Sequence, residues 1–299
     1  MKKHKKRTQF FIILIASIFL FLSFAAYKYF SGCEIYRDVR YGEKEVNVMD
    51  IYIPEQAYKR ENNGCVLFIH GGSWSGGDKK EEAARCRLLA SRGYITATVN
   101  YTLWDEKTAE EYTVFGVLDE IDTALLRLKE FAIERGITIT KAATSGYSAG
   151  AHLSMLYSYS RVGVAPMEIV FTANMAGPSD ISADVWGADM AMAIAKRLTG
   201  KNVTQEMLLS GEADELLSSI SPTAFVCDKT PPTVIIHGGK DTVVPLKNAE
   251  VLMEKLSQYS VAYDYIYLGN SDHSLIQNPL KHAKYLKKLL EYCKRYFGA

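Results

Sequence analysis

The sequence predicts an α/β protein with a mostly parallel central sheet and helices on both of its faces. Segments rich in β-branched and aromatic residues alternate along the chain with segments whose apolar residues recur at helical spacing. Several strand-like segments, such as 65–70, are short uninterrupted apolar runs, which is typical of parallel strands buried on both faces. A chain of 299 residues, 48% of them hydrophobic, is long enough to bury such a sheet between two helical layers.

The alternation assigns the elements in chain order. Period-two patterns or β-forming residues predict strands over 45–54, 65–70, 94–101, 137–144, 169–174, 232–237 and 263–268. Helical spacing predicts helices over 79–91, 114–135, 149–159, 249–258 and 280–297. Gly93 and Gly136 follow two of these helices, where glycine commonly ends a helix. The segment 181–221 breaks the rhythm, and we expect it to be a small helical insertion of two or three short helices.

The N-terminal segment 1–33 differs from the rest of the chain. Its first seven residues include four Lys and one Arg, and an apolar run over 10–26 follows. This length favours an uncleaved membrane helix, which needs about 20 residues, over the shorter core of a signal peptide. The basic start predicts a cytoplasmic N-terminus, so 34–299 would form one domain outside the membrane.

Two other fates of this segment stay open. Residues 23–25, Ser-Phe-Ala, form a small-x-small sequence at which a signal peptidase could cut, so the domain could be secreted. Residues 31–33, Ser-Gly-Cys, resemble the end of a bacterial lipoprotein signal, in which Cys33 would carry the lipid.

Charge and cysteine content exclude several classes of function. The chain has 35 basic and 34 acidic residues, a net charge of +1, so no electrostatic footprint for nucleic acid is present. The five cysteines include no Cys-x-x-Cys pair and no zinc-like spacing. We therefore expect no nucleic-acid partner and no metal site, and we expect Cys65 and Cys86 to lie in the core.

A Gly-x-Ser-x-Gly motif lies between a predicted strand and a predicted helix, at 146–150. A serine at such a tight strand-to-helix turn projects its hydroxyl from the sheet edge, and only glycines two residues before and after leave the room it needs. The N–H of Ala149, at the start of the helix, can receive developing negative charge. This context predicts Ser148 as a nucleophile.

A serine hydroxyl is a poor nucleophile at neutral pH and needs a base. Of the six histidines, His273 alone lies in a loop after the last predicted strand, where it can reach a serine at the sheet edge. His152 lies one turn beyond Ser148 on the same helix and is expected to point away. We predict His273 as the base.

The base in turn needs a carboxylate that orients its ring. Asp241 follows the predicted strand 232–237 and is our candidate. Asp180 follows the preceding strand but is expected to cap the helix that starts near 181. Asp272 is adjacent to His273 in sequence and badly directed to orient it.

The segment His-Gly-Gly-Ser-Trp at 70–74 follows another predicted strand. The paired glycines Gly71 and Gly72 let main-chain N–H groups approach a bound carbonyl oxygen, as an oxyanion hole requires. Trp74 and Tyr147 flank this loop and the nucleophile, so they either line a substrate pocket or pack in the core.

Together these motifs resemble the carboxylesterase/lipase branch of the α/β-hydrolase superfamily over about residues 40–297. The loop at 70–74, followed by Gly-Gly-Asp-Lys at 76–79, is especially similar to bacterial esterases related to acetyl-xylan and feruloyl esterases, and to kynurenine formamidases. The chain order Ser148, Asp241, His273 is the order of that superfamily's triad. The resemblance also implies an oxyanion hole made by the N–H groups of Gly72, Ser73 and Ala149.

Two departures concern the substrate subgroup. The family's usual Asp-Tyr-Arg after the fourth strand is Asn-Tyr-Thr at 100–102, and Ser73 stands where some members have a third glycine. The resemblance implies a serine esterase that cleaves small-molecule esters of small or medium acyl groups, with no metal or organic cofactor. A formamidase-like amide hydrolase, a serine peptidase on the same fold and a non-catalytic binding protein are the alternatives.

Overall fold

A single eight-stranded sheet forms the centre of the computed structural model, which describes residues 32–108, 112–277 and 279–298. The strands are β1 (Cys33–Arg40), β2 (Val48–Pro54), β3 (Asn63–Ile69), β4 (Ile95–Val99), β5 (Ile139–Tyr147), β6 (Glu168–Met175), β7 (Thr233–Gly238) and β8 (Tyr263–Leu268). Their order across the sheet is β1-β2-β4-β3-β5-β6-β7-β8. The pairs β1–β2 and β2–β4 are antiparallel, and every pair from β4 to β8 is parallel. The predicted mostly parallel α/β sheet is confirmed.

Helices cover both faces of this sheet. They are α1 (Ala83–Ala90), α2 (Val114–Ile133), α3 (Ala149–Ser160), α4 (Ala183–Trp186), α5 (Ala188–Thr199), α6 (Gln205–Ser210), α7 (Asp214–Ser219), α8 (Lys247–Gln258) and α9 (Pro279–Phe297). Short 3₁₀ turns cover Glu55–Lys59, Lys79–Glu82, Glu106–Thr108 and Pro222–Phe225. The first turn of the helix predicted over 79–91 is therefore 3₁₀, and its α-helical part begins at Ala83.

The pleat of the central strands divides the core into two layers. On β3, Leu67 and Ile69 point to the layer that contains α2 and α3, whereas Val66 and Phe68 point to the layer that contains α1 and α9. All four side chains are fully buried. This two-sided burial explains why β3 reads as an uninterrupted apolar run in the sequence.

Strand β1 was not predicted from the sequence. It lies at the edge of the sheet, where its residues are exposed or half-buried in an irregular order. A bulge interrupts its pairing with β2 between Tyr36 and Val39, and Asp38 has φ +53°. An edge strand that buries neither face continuously lacks the apolar alternation that sequence analysis depends on.

The helical insertion lies between β6 and β7, as predicted, but it contains four short helices, α4 to α7, rather than two or three. Ile181 and Ile220, near its two ends, are fully buried in the main core. The insertion is therefore anchored at both ends.

The predicted membrane helix over 10–26 lies outside the described residues. Within the residues that the structure describes, no helix combines the length and the apolar character that crossing a bilayer requires. Cys33 is the first residue of β1, and all five cysteines are free thiols, with Cys65 and Cys86 buried as predicted.

Candidate active site

Ser148 occupies the turn between β5 and α3, with φ +54° and ψ −121°. A non-glycine residue in this region costs about 1–3 kcal/mol and persists only where its surroundings hold it. Two close approaches hold this turn. A Cβ on Gly146 would lie 2.3 Å from the main chain of Gly150, and a Cβ on Gly150 would lie 2.0 Å from the Ile69 carbonyl oxygen. The Ser148 N–H also donates to the Met175 carbonyl on β6 at 2.8 Å.

His273 lies in the loop after β8 and reaches the serine directly. Its Nε2 is 2.9 Å from Ser148 Oγ, and its Nδ1 is 2.7 Å from Asp241 Oδ2. A carboxylate only accepts hydrogen bonds, so Nδ1 carries a proton, and in the neutral tautomer of the ring Nε2 can accept from the serine hydroxyl. This is the tautomer that a general base requires.

Asp241 follows β7, and its carboxylate is fully buried. Its Oδ1 accepts from the N–H groups of Val243 and Val244, each at 2.9 Å. Burial raises the pKa of Asp241, but the hydrogen bonds from His273 and from these two amides outweigh burial and leave the pKa below its ordinary value. The group is therefore an anion at neutral pH.

The two rival carboxylates lie elsewhere. Asp272 is exposed and accepts from the N–H and hydroxyl of Ser274. Asp180 accepts from the Ser182 N–H at 3.0 Å and from the Thr223 hydroxyl at 2.9 Å. Asp180 thus stabilises the start of the insertion.

The loop 71–74, which we call the oxyanion loop after its predicted role, lies against Ser148. A Cβ on Gly71 would lie 2.9 Å from the Tyr147 carbonyl oxygen and 3.4 Å from Ser148 Cβ. The backbone is left-handed at three successive residues, with φ +110° at Gly72, +52° at Ser73 and +61° at Trp74. Within the described part of the chain, no group accepts a hydrogen bond from the N–H of Gly72 or Ser73. These N–H groups, with that of Ala149 at the start of α3, are the predicted oxyanion donors.

The two predicted pocket residues have different surroundings. Tyr147 is half-buried, its hydroxyl donates to the His273 carbonyl at 2.8 Å, and its ring centroid lies 5.1 Å from the imidazole. The Trp74 side chain lies in the main hydrophobic core and is only 5% exposed. Its indole N–H donates to His152 Nδ1 at 3.2 Å. Trp74 therefore has the environment of a packing residue.

Two further histidines lie next to the residues of the site and were not singled out from the sequence. His237 at the end of β7 is buried, and its Nε2 lies 3.0 Å from the Val244 carbonyl oxygen and 3.5 Å from Asp241 Oδ2. His70 precedes the oxyanion loop, and its ring stacks on Tyr101 at 4.4 Å, while the Tyr101 hydroxyl donates to the His70 carbonyl at 3.0 Å. In the sequence, the four-residue spacing from His237 to Asp241 was the one indication that His237 lies close to the predicted acid.

Comparison with known protein families identifies the chain. The BD-FAE family model matches residues 49–256, which include the oxyanion loop, Ser148 and Asp241. The chain belongs to the BD-FAE family. The resemblance to α/β-hydrolase carboxylesterases that the motifs indicate is confirmed by this match.

Relatives of this BD-FAE protein include named esterases. It is 25% identical over 280 residues to a probable isoprenylcysteine alpha-carbonyl methylesterase from Oryza sativa subsp. japonica, covering 89% of this chain and 63% of that protein. It is 23% identical to esterase LipC from Mycobacterium tuberculosis, covering 79% of this chain and 59% of that protein. The chain thus spans less than two thirds of the length of either relative.

Among solved structures, a truncated carbohydrate esterase from gut microbiota superposes on the BD-FAE protein with a TM-score of 0.73. The two chains are 19% identical, and the match covers 89% of this chain and 96% of the other. This likeness supports the α/β-hydrolase fold.

Proposed function

We propose that this protein is a serine esterase that cleaves carboxylic esters of small or medium acyl groups. The observation that carries the proposal is the continuous chain of hydrogen bonds from Ser148 Oγ through His273 to the buried Asp241 carboxylate, at 2.9 and 2.7 Å. Family membership and the esterase names of its relatives support the same reaction class.

The reaction proceeds in two acyl-transfer steps. In the first, His273 Nε2 takes the hydroxyl proton while Ser148 Oγ forms a bond to the ester carbonyl carbon. The negative charge moves to the carbonyl oxygen, where the N–H groups of Gly72, Ser73 and Ala149 can donate to it. The intermediate collapses as the carbon–oxygen ester bond breaks, and His273 gives its proton to the departing alcohol.

The second step regenerates the enzyme. A water molecule gives a proton to His273 and attacks the acyl carbon, and the acid leaves as Ser148 recovers its proton. Asp241 stays ionised throughout, because its low pKa and its two amide donors favour the anion, and it stabilises the imidazolium formed in each step.

The test compares wild type with Ser148→Ala on p-nitrophenyl acetate, butyrate and octanoate. We expect wild-type turnover, highest on the shorter esters, and loss of turnover in Ser148→Ala with an unchanged circular dichroism spectrum. Ser160→Ala, which changes another serine at the far end of α3, is the matched control and should retain activity.

Adding a formanilide and an aminoacyl p-nitroanilide separates the alternatives. Cleavage of the formanilide without cleavage of any ester would assign a formamidase, and cleavage of the anilide a peptidase. Failure of wild type to react with a fluorophosphonate probe would indicate a non-catalytic binding protein.

We also propose that the N-terminal segment 1–33 tethers the domain to a membrane, with the domain on the extracytoplasmic side. The basic residues at 1–7 and the apolar run over 10–26 support this arrangement. Expression of the full chain and of 34–299 tests it: the full chain should sediment with membranes and resist salt extraction, and the shorter chain should not. A full chain found entirely in the supernatant after signal cleavage would refute it.

A further inference from the structure

His152 joins two segments that are far apart in the sequence. Its Nε2 lies 2.8 Å from the Ile220 carbonyl oxygen at the end of the insertion, and its Nδ1 lies 3.2 Å from Trp74 Nε1. A carbonyl oxygen only accepts and an indole N–H only donates, so a neutral ring with its proton on Nε2 satisfies both partners. His152 and Ile220 are fully buried, and Trp74 is 5% exposed, so water does not compete for either bond.

A second link runs from the insertion to the same loop. Arg197 on α5 donates from Nη1 to the Ser73 carbonyl at 3.3 Å, and its guanidinium lies 4.8 Å from the centroid of the Trp104 ring. The main-chain N–H of Trp104 in turn donates to the Trp74 carbonyl at 2.7 Å. The main-chain oxygens of both left-handed, non-glycine residues of the oxyanion loop are therefore held from outside the loop.

These links matter because the loop conformation is strained. Ser73 and Trp74 have φ +52° and +61°, a region that non-glycine residues occupy only when the surrounding structure imposes it. The N–H groups of Ser75 and Gly76 donate to the Gly72 carbonyl and close the turn that has Ser73 and Trp74 at its centre. The bonds from Arg197 and from the Trp104 main chain add restraints on the Ser73 and Trp74 carbonyls from outside this turn.

We propose that the insertion is a positioning element for catalysis, which holds the oxyanion loop in its donor geometry through His152 and Arg197. This inference rests on the proposed function, since it assigns the loop to the oxyanion of an ester reaction.

Two variants remove the links, and the buried Trp74→Phe also leaves a small cavity because the phenyl ring is smaller than the indole. Trp74→Phe keeps a buried aromatic ring but has no N–H for His152, and Arg197→Met keeps an unbranched stem but has no donor for the Ser73 carbonyl. Tyr159→Phe is the matched control, because it also removes one buried hydrogen bond, 2.7 Å to Thr233, but at the far end of α3.

Hydrogen exchange of the peptide covering 71–77 measures how readily the backbone of the loop opens, and it requires no substrate. We expect exchange to be about 10-fold faster in each variant and fastest in the double variant, with wild-type exchange in Tyr159→Phe. In parallel, kcat on p-nitrophenyl acetate should fall about 10-fold with little change in KM, a smaller loss than the roughly 100-fold that follows removal of an oxyanion donor.

The two readouts separate the inference from the proposed function. An enzyme that cleaves esters but shows wild-type exchange, or wild-type kcat, in both variants overturns the inference and leaves the proposed function standing. A wild-type protein that cleaves no ester overturns the proposed function, and with it the catalytic role of the insertion, whatever the exchange rates.

Discussion

The hydroxyl of Tyr147 donates a hydrogen bond to the main-chain carbonyl of His273 at 2.8 Å. Tyr147 immediately precedes Ser148, so this bond ties the loop that carries His273 to the turn that carries Ser148. The bonds of the imidazole to Asp241 and Ser148 restrain the same loop through its side chain. The Tyr147 bond adds a restraint on the main chain of His273.

Tyr147→Phe removes this bond but keeps the ring beside the imidazole. We expect kcat to fall about 5-fold, since a single neutral hydrogen bond contributes about 1 kcal/mol net. Steady-state kinetics on p-nitrophenyl acetate measures kcat. The control is Tyr58→Phe, which loses a hydrogen bond to the exposed Glu34. Equal kcat values in the two variants would show that the bond does not position the base.

Asp241→Asn should lower kcat by about 10⁴-fold with the fold retained, because an amide in this place favours the wrong imidazole tautomer. Asp272→Asn is the matched control. The Asp272 side chain is exposed and accepts hydrogen bonds from the N–H and hydroxyl of Ser274 in its own loop. The activity of Asp272→Asn should therefore stay within a few-fold of wild type. A large loss of kcat in Asp272→Asn with little loss in Asp241→Asn would identify Asp272 as the acid.

Gly150→Ala should prevent the strand-to-helix turn from closing, because the new methyl group would lie 2.0 Å from the Ile69 carbonyl oxygen. We expect a loss of stability of several kcal/mol, at least about 3, or insoluble protein. Gly116→Ala is the control within a helix, because its new Cβ would lie no closer than 3.5 Å to a neighbouring atom. This variant should raise the free energy of unfolding by up to about 1 kcal/mol. Urea unfolding of both variants measures the difference.

Acid should destabilise the fold through its buried histidines. Burial lowers the pKa of His152 from 6.5 to about 4, and the hydrogen bond to the Ile220 carbonyl only partly offsets this. Between these two values the unfolded chain binds the proton and the folded chain does not, so stability falls as pH decreases from about 6.5 toward 4. His70, His237 and His282, whose pKa values burial also lowers, act in the same direction.

The contribution of His152 to this acid sensitivity is about 2 kcal/mol between pH 7 and pH 5. Urea unfolding at the two pH values should show a smaller decrease in His152→Gln than in wild type by that amount. Identical pH dependence in the two proteins would mean that the pKa of this imidazole is the same in the folded and unfolded states.

Parallel strands explain why most of the fold and the arrangement of the candidate site could be predicted. Strands such as β3 and β7 are buried on both faces and appear as apolar runs, and the residues that follow them meet at one edge of the sheet. That rule, with the capping position of Asp180 and the adjacency of Asp272 to His273, selected Asp241 and His273 from among the acids and histidines. It does not supply the distances that join them to Ser148.

What could not be predicted depends on side-chain direction and on edges. Strand β1 lacks a continuous apolar face, and three of the four helices in the insertion have only 4 or 6 residues, too few for a clear helical period. The contact of Trp74 with His152, 78 residues away, follows from two left-handed non-glycine residues in the oxyanion loop, which no local pattern predicts. The sequence therefore left both a pocket position and a core position open for Trp74.

Ser148, Asp241 and His273 follow three different strands, and 125 residues separate the first from the last. No fragment that lacks β8 or the loop after it can assemble the hydrogen-bonded set, however well its remaining sheet is formed. The three side chains can meet after dilution from denaturant only once β8 has paired with β7 and the loop after β8 has closed on Ser148.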